Sequence, residues 1–329
     1  MKILLWRTGA FGDVLITTPL IRHLHSQGHQ VFYVTNERGE QVLKNNPHVF
    51  KLLKNDETVK NENLGEHMQY LMRKHHCERL IDLNESIECA LSQHPRSADY
   101  KLPKRERIAR FNRNFYEYCF EHAKEPWDEK VDFKPELFFN EDELSDARKH
   151  MKPGYNVLIG LSGSGGNKTY PWMMDVCNDI AKSHPDVHFI TVGDLRCQIL
   201  EDIETPDINS ITYLSGKISM RISMALTGLV DLVISPDTGL LHASGCYNTP
   251  KIGLLGHTTK EHITKHFSND YSLEADEKLA PCAPCSYMVY DKLLQCPLDK
   301  QFNTSICMAD GLPPTVVYKR FVEVYNARP

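Results

Sequence analysis

The chain has 329 residues, 41% of them hydrophobic and 25% charged, and its net charge at pH 7 is −5. These values are typical of an ordinary globular protein, and the length favours two domains over one. The negative charge provides no general attraction to nucleic acid. No apolar run approaches the roughly 18 residues of a membrane span, and the apolar block at residues 3–6 is too short for a signal peptide. We therefore expect a cytoplasmic protein.

The first half of the chain alternates short apolar strands with helical segments. This βαβ order is typical of a parallel sheet with helices on both faces. The predicted elements are strands at 3–6, 31–34, 49–53 and 80–83 and helices near 14–26, 37–45 and 64–75.

The loop at residues 7–13 is the first candidate for a ligand-binding turn. Gly9 and Gly12 permit a tight turn and close approach of a ligand, and Asp13 lies at the start of the following helix. The loop lacks the GxGxxG pattern, which disfavours a nicotinamide dehydrogenase. Asp13 has two interpretations, a catalytic base or an ordinary helix cap.

The stretch between Asp99 and Asn114 carries six positive charges against two negative ones, Asp99 and Glu106. Such a run is usually a solvated face, and its functional interpretation is a contact with an anionic acceptor or a membrane surface. The segment 125–154 is rich in Pro, Asp and Glu, and we place a domain boundary there. The cations are Lys101, Lys104, Arg105, Arg107, Arg110 and Arg113.

The second half repeats the alternation, and each strand ends in small or polar residues. After the strand at 157–161, the loop 162–168 contains Ser162 and Ser164 and ends in Lys168. Its backbone N–H groups could converge on an anion, and the lysine could neutralise a departing phosphate; a flexible surface loop is the alternative. The following strands, predicted at 187–192 and 211–214, are followed by Asp194 and Lys217, residue types that a cleft at the strand ends would use.

The stretch 231–256 is the most informative part of the sequence. It predicts a strand, the triplet Asp237-Thr238-Gly239, a helix that contains His242, and a second strand at 251–255. The first N–H groups of that helix could bind a diphosphate, with Asp237 capping the helix or binding a sugar hydroxyl. A capped helix of any α/β protein is the alternative interpretation.

Four of the ten cysteines lie close together, in the pattern C-x2-C-x10-C-x10-C. Thiols in a cytoplasmic protein are normally reduced, so such a cluster predicts a structural zinc or iron site rather than disulfides; four unligated thiols are the alternative. The predicted ligands are Cys282, Cys285, Cys296 and Cys307.

Taken together, these segments resemble glycosyltransferase family 9, the ADP-heptose:lipopolysaccharide heptosyltransferase family. The likeness covers most of the chain and rests on KILLWRTGAFGDVLITTPLIRHL at the N-terminus and on the stretch from LSGK to KIGLLG in the second half. It implies the GT-B fold, in which two Rossmann-like domains with parallel sheets face each other across a cleft. Between residues 55 and 150 no family motif is present, so the acceptor is poorly constrained.

The resemblance implies inverting transfer from a nucleotide-diphosphate sugar, with no metal needed for catalysis. Asp13 matches the family's catalytic base, and Lys168 matches the lysine that stabilises the leaving group, although Thr169 and Tyr170 depart mildly from the usual neighbours. Asp13 and Lys168 would then meet across the cleft. The residues assigned to the donor are Gly12, Ser162, Ser164, Asp194, Lys217, Asp237, Thr238, Gly239 and His242.

The implied architecture has three parts. Residues 1–140 form an acceptor-side domain, 141–312 form a nucleotide-sugar domain with a cysteine-rich segment at 282–307, and 313–329 form a helix that packs back toward the first domain. The acceptor would be a lipopolysaccharide or other anionic surface glycan or glycolipid, with residues 101–113 available for peripheral contact at the inner face of the cytoplasmic membrane.

Two other functions remain open at this stage. One is a glycosyltransferase acting on a protein or a modified nucleic acid, although the net charge disfavours nucleic acid as a partner. The other is a sugar-nucleotide-binding protein without catalytic activity, which the presence of Asp13, Lys168 and Asp237 disfavours.

Overall fold

A computed structural model describes residues 1–92, 102–203, 210–287, 296 and 305–328. The described residues form two parallel sheets flanked by helices, so the predicted α/β class is confirmed. Lys101 and most of the segment between Cys285 and Cys307 lie outside the described residues. Within the described residues, no helix combines the length and the apolar character that crossing a membrane requires.

The first compact unit comprises residues 1–90 and 115–139. Its four strands are all parallel, in the order β3-β2-β1-β4, and the central strand β1 is almost entirely buried because both faces of the sheet are covered. The strands are β1 (Lys2–Trp6), β2 (Gln30–Thr35), β3 (Val49–Lys54) and β4 (Arg79–Asp82). The helices are α1 (Phe11–Leu15), α2 (Thr18–Ser26), α3 (Glu37–Leu43), α4 (Leu64–His75), α5 (Ser86–Leu91) and α7 (Phe115–Ala123).

The helix predicted at 14–26 is divided into α1 and α2. Pro19 lies in the first turn of α2, where its missing N–H costs no hydrogen bond. The hydroxyls of Thr17 and Thr18 donate to the carbonyls of Val14 and Leu15 at 2.8 Å each and satisfy the end of α1. Asp13 lies in the first turn of the short helix α1, which begins five residues after the end of β1.

The second compact unit comprises residues 91–114 and 140–329. Its six strands are also parallel, in the order β10-β9-β8-β5-β6-β7. The strands are β5 (Tyr155–Gly160), β6 (Val187–Val192), β7 (Ile211–Tyr213), β8 (Leu232–Pro236), β9 (Lys251–Leu255) and β10 (Leu273–Glu274). The helices are α6 (Lys104–Phe111), α8 (Glu141–Arg148), α9 (Met173–Ser183), α10 (Leu195–Ile203), α11 (Met220–Leu226), α12 (Gly239–Ser244), α13 (Ile306–Ala309) and α14 (Pro314–Asn326).

The basic helix α6 belongs to the second unit, although it precedes the last helix of the first. Long-range hydrogen bonds attach its C-terminal end: His262 Nε2 lies 2.7 Å from the carbonyl oxygen of Phe111, and Asn114 Nδ2 donates to the carbonyl of Glu261 at 2.9 Å. The limits at residues 140 and 312 stay a prediction about the division of function. Residues 91–114, which lie between the two parts of the first unit in sequence, belong to the second compact unit.

The last helix, α14, begins at the predicted pair of prolines and presents one buried face. Val317, Phe321 and Val324 lie in the core of the second unit, and Phe321 is fully buried against the ring of Tyr155. The Tyr325 hydroxyl donates to Asp186 at 2.7 Å. These contacts lie within the second unit, where the apolar stripe of α14 covers one side of the sheet. Packing of this helix toward the first domain stays a prediction.

We predict that Phe321→Ala destabilises the protein by about 3–5 kcal/mol, because the substitution leaves a cavity in a core that cannot fully collapse. Urea denaturation measures the free energy of unfolding. Val316→Ala on the same helix is the matched control, since Val316 is exposed, and its effect should stay within about 0.5 kcal/mol. Equal effects of the two substitutions would contradict the packing of α14 described above.

Candidate functional site

Three side chains from separate segments of the second unit converge on the carboxylate of Asp237. Lys168 Nζ lies 3.0 Å from Oδ2, His257 Nε2 lies 3.4 Å from Oδ2, and His242 Nε2 lies 3.6 Å from Oδ1. Asp237 follows β8, and the other three follow or adjoin β5, β8 and β9, which are neighbours in the sheet. Parallel order brings the carboxyl ends of neighbouring strands to one edge, so residues far apart in sequence meet there.

The main charges in this cluster are the carboxylate of Asp237 and the ammonium of Lys168. Burial raises the pKa of Asp237, but the attraction of Lys168, together with that of the two histidines, holds the pKa below its usual range. Burial and the nearby Lys168 lower the pKa of His257 to about 3, so this imidazole is neutral near pH 7. The carboxylate and Lys168 therefore form an ion pair in which the lysine side chain keeps 27% exposure while Asp237 keeps 7%.

The loop that carries Lys168 folds back on itself. The N–H of Gly163 donates to the carbonyl of Lys168 at 2.9 Å, and the hydroxyls of Ser162 and Thr169 lie 2.7 Å apart. A side chain at Gly163 would approach Lys168 and Thr238 within about 3.1 Å, so glycine permits the two loops to lie against each other. Ser164 is exposed at the tip of this loop. The sequence analysis predicted this loop, and the structure places Lys168 next to Asp237.

Thr238 and Gly239 of the Asp-Thr-Gly triplet form the start of α12. Thr238 is the N-cap of α12, and its hydroxyl accepts from the N–H of Leu240 at 3.2 Å. Gly239 is the first helical residue, and the helix has only six residues. A helix this short contributes little dipole, so the positive charge in this region comes mainly from Lys168.

Two predicted donor residues have local contacts instead. Asp194 accepts from the N–H of Arg196 at 3.0 Å and caps the start of α10, and Lys217 Nζ donates to the carbonyl of Tyr213 at 3.0 Å. Both side chains are exposed and lie at the same sheet edge as Asp237, after β6 and β7. The structure therefore places them along the edge without joining them to the Asp237 cluster.

Asp13 and Gly12 lie in the first unit, in α1. Asp13 Oδ2 accepts from the N–H of Ala10 at 2.6 Å, and Oδ1 lies 3.3 Å from Arg7, while the side chain keeps 33% exposure. Gly9 has φ +128°, and a Cβ there would lie 2.4 Å from Asp13 Oδ2. Both interpretations of Asp13 thus have support, since it binds the N-terminal backbone of α1 and remains accessible.

The four clustered cysteines influence one another. Burial, Cys307, Cys282 and Cys296 raise the pKa of the Cys285 thiol, and burial is the main cause that raises the pKa of Cys307 to about 12. Four thiol donors fit zinc or iron chemically. However, the described residues contain no group of three or more His, Cys, Asp or Glu side chains arranged to hold a metal ion.

Sequence reasoning did not identify His257 as a member of the cluster. Its side chain is 5% exposed, and it directly follows Gly256, where the analysed stretch ended. The available signal was its position immediately after a buried strand next to β8. Arg7, which contacts Asp13, and Glu88, which pairs with Arg7, were missed as well. Glu88 lies 75 residues beyond Asp13 in a helix without a recognisable motif.

Comparison with known proteins provides independent information on the family. The sequence profile of glycosyltransferase family 9 (heptosyltransferase) matches residues 120–287, about half of the chain. The matched range contains Lys168, Asp237, His242 and His257. A curated relative, lipopolysaccharide heptosyltransferase 1 of Campylobacter coli, is 23% identical over 293 residues, which cover 78% of this chain and 84% of the relative.

Solved structures share the fold at low sequence identity. E. coli ADP-heptose lps heptosyltransferase II has a TM-score of 0.70 at 13% identity and covers 98% of both chains. The iron-containing dodecameric glycosyltransferase TibC from enterotoxigenic E. coli has a TM-score of 0.64 at 11% identity, over 99% of this chain and 78% of that chain. TibC has also been solved in complex with ADP-D-beta-D-heptose.

The two Rossmann-like units and these structural neighbours confirm the predicted GT-B fold. At identities this low, structural likeness supports the fold, whereas the sequence profile identifies the family. The cluster around Asp237 lies within the range of residues that the family profile matches. We conclude that this chain is a glycosyltransferase and belongs to glycosyltransferase family 9, the heptosyltransferase family.

Proposed function

We propose that this protein transfers a heptose, with inversion, from ADP-heptose to a hydroxyl of a lipopolysaccharide or related surface-glycan acceptor. The observation that carries the proposal is the convergence of Lys168, His242 and His257 on Asp237 at the edge of the second sheet. The donor is taken from the TibC complex with ADP-D-beta-D-heptose, and the acceptor from the Campylobacter coli lipopolysaccharide heptosyltransferase.

Lys168 is proposed to bind the diphosphate of the donor and stabilise it as it leaves. Without donor, its ammonium pairs with Asp237 at 3.0 Å but keeps 27% exposure, so it can contact both the carboxylate and an arriving phosphate. A charge-assisted hydrogen bond to a phosphate oxygen strengthens as negative charge accumulates there during bond cleavage. Asp237 would then hold the lysine in place. Its only direct contact with the donor would be with a sugar hydroxyl.

The remaining donor residues are proposed to surround this ion pair. Ser162 and Ser164 would provide hydroxyl and backbone donors to phosphate oxygens, and Thr238 with Gly239 would offer backbone N–H groups. His242 would donate to the diphosphate. The residues assigned to more distant parts of the donor are Gly12, Asp194 and Lys217.

Asp13 is proposed as the general base. Its carboxylate would accept the proton of the acceptor hydroxyl, whose oxygen attacks the anomeric carbon while the bond to the ADP diphosphate breaks. A single displacement of this kind inverts the configuration. The side chain keeps 33% exposure and can be reached from solvent, as a general base must be.

The acceptor is proposed to be anionic, because α6 carries exposed cations. Lys104 pairs with Glu277 at 2.8 Å and Arg107 contacts the carbonyl of Cys282 at 3.4 Å, so these two act within the second unit. Arg105, Arg110 and Arg113 are exposed and are proposed to contact acceptor phosphates or the inner face of the cytoplasmic membrane.

The four cysteines are proposed to hold a structural zinc or iron ion, with no metal used in catalysis. The iron content of TibC supports this proposal. Cys282, Cys285 and Cys307 lie in segments that also contact the Lys168 loop or the start of α9. Asn167 Nδ2 donates to the carbonyl of Tyr287 at 3.1 Å, and Trp172 Nε1 donates to that of Ala309 at 2.7 Å. A metal would supply a cross-link between these segments.

Substitution of Lys168 tests the donor site. Lys168→Gln should weaken ADP binding on the order of 10-fold or more in calorimetry, because a charge-assisted hydrogen bond to phosphate is lost. It should also lower the rate of ADP release from ADP-D-beta-D-heptose about 100-fold or more. Lys182→Gln, an exposed lysine on α9, is the control. Unchanged ADP affinity in a folded Lys168→Gln variant would refute the assignment.

Substitution of Asp13 tests the base. Asp13→Asn keeps the shape and an oxygen for the Ala10 N–H but cannot accept the proton. Transfer should fall roughly 10²- to 10⁴-fold, while ADP affinity should stay unchanged, since the residues assigned to the diphosphate lie in the second unit. A variant that loses ADP binding yet retains its turnover rate on bound donor would show that Asp13 has another role.

Metal analysis tests the cysteine site. Protein purified without a histidine tag should contain about one zinc or iron per chain, and Cys285→Ser should lower this content. Cys77→Ser, which changes a partly buried thiol of the first unit, is the matched control and should leave it unchanged. A metal content near zero in the unsubstituted protein would exclude the proposed site.

A further inference from the structure

The guanidinium of Arg7 is buried at the end of β1 and is bound on several sides. It is 2% exposed. Its two terminal nitrogens donate to Glu88, at 2.9 Å and 2.6 Å, and one of them also donates to the carbonyl of Leu83 at 3.0 Å. A bidentate pair of this kind fixes the plane of the guanidinium and leaves its remaining edge in a defined direction.

That remaining edge faces Asp13. Arg7 Nη2 lies 3.3 Å from Asp13 Oδ1, and Arg7 Nε donates to the Asp13 backbone carbonyl at 3.4 Å. The other carboxylate oxygen, Oδ2, accepts from the N–H of Ala10. Both oxygens of Asp13 are thus held by fixed donors, so the orientation of the carboxylate is set before any substrate arrives.

A second contact joins the same two loops. The backbone N–H and the hydroxyl of Thr8 both donate to Asn84 Oδ1, at 3.1 Å and 2.6 Å. Thr8 follows Arg7, and Asn84 lies between Leu83 and Glu88. The loop after β1 is therefore attached to the loop after β4 at two points, and a shift of Glu88 would be transmitted to Arg7 and Asp13.

The buried cation of Arg7 contacts two carboxylates, those of Asp13 and Glu88. Burial lowers the pKa of Arg7, but the attraction of Asp13 and Glu88 raises it above its usual value. Burial raises the pKa values of Cys119 and Tyr33, which keeps both neutral. Among the described residues, the titratable groups within electrostatic reach of Arg7 or Asp13 include Glu88 and Cys89 on α5, Tyr33 on β2, Asp82 on β4 and Cys119 on α7.

We propose that the Arg7–Glu88 ion pair is a positioning device for Asp13, which holds the carboxylate ionised and oriented for proton abstraction. This inference rests on the proposed function of Asp13 as general base. Arg7 supplies the cation that favours the ionised carboxylate. Glu88 holds Arg7 in place and offsets part of its charge, so that Asp13 stays basic enough to accept a proton.

Substitution of Arg7 and substitution of Glu88 should have opposite effects on the pH profile of donor turnover. Turnover is measured as ADP release from ADP-D-beta-D-heptose, with heptose-free lipopolysaccharide or water as acceptor. Arg7→Gln removes the cation, so the acid limb of kcat should move to higher pH by about one unit. Glu88→Gln removes an anion, so the limb should move to lower pH. Loss of orientation in Arg7→Gln should also lower the plateau on the order of 100-fold.

Arg79→Gln is the matched control. Arg79 forms an ion pair with buried Glu125 in the same unit. It is the first residue of β4 and lies at the amino ends of the strands, whereas Asp13 lies beyond their carboxyl ends. This variant should leave the acid limb in place, as any purely structural pair would. Arg7→Lys should restore the position of the limb but only part of the plateau, because lysine keeps the charge and loses the bidentate geometry.

The outcomes separate this inference from the proposed function. If Asp13→Asn retains full activity, the assignment of the base fails. If Asp13→Asn is inactive and the acid limb stays fixed in both Arg7→Gln and Glu88→Gln, only the positioning role is refuted. Should Arg7→Gln not fold, Arg7→Lys and Glu88→Gln carry the test, and a Glu88→Gln profile that overlies that of the unsubstituted protein refutes it.

Discussion

The buried carboxylate of Asp237 holds together the side chains at the carboxyl ends of the strands in the second unit. Removal of a carboxylate from water is unfavourable unless charges and hydrogen bonds compensate for it. Here Lys168 and two histidines provide that compensation from three neighbouring strand ends. The same arrangement holds a cation at an exposed edge with its charge only partly neutralised, which is what recognition of a diphosphate requires.

The first unit contains a comparable arrangement around Arg7. In each case a buried ionic group is paired with a residue of opposite charge that remains partly exposed, Lys168 in one unit and Asp13 in the other. The exposed partner is the residue assigned to chemistry, and the buried one fixes its position. Side chains fixed in this way lose less conformational entropy when substrate binds, which is a general advantage of a preorganised site.

Much of the architecture could be predicted from the sequence because it depends on local patterns. Buried strands such as β5 and β8 are short apolar runs, and the polar residues in the segments after them, Lys168 and Asp237, are brought to one edge by the geometry of a parallel sheet. The assignment of α6 to the second unit could not be predicted, because its docking rests on hydrogen bonds such as that of His262 with Phe111, about 150 residues apart. His257 and Glu88 likewise become functional candidates only through tertiary contacts.

The central claim is that the edge around Lys168 and Asp237 binds the diphosphate of a nucleotide sugar. A crystal structure of the complex with ADP-D-beta-D-heptose tests it most directly. We expect a phosphate oxygen within about 3.2 Å of Lys168 Nζ, with Asp237 still in contact with the lysine. A nucleotide bound elsewhere, with the Lys168–Asp237 pair unchanged and its surroundings empty, would contradict it.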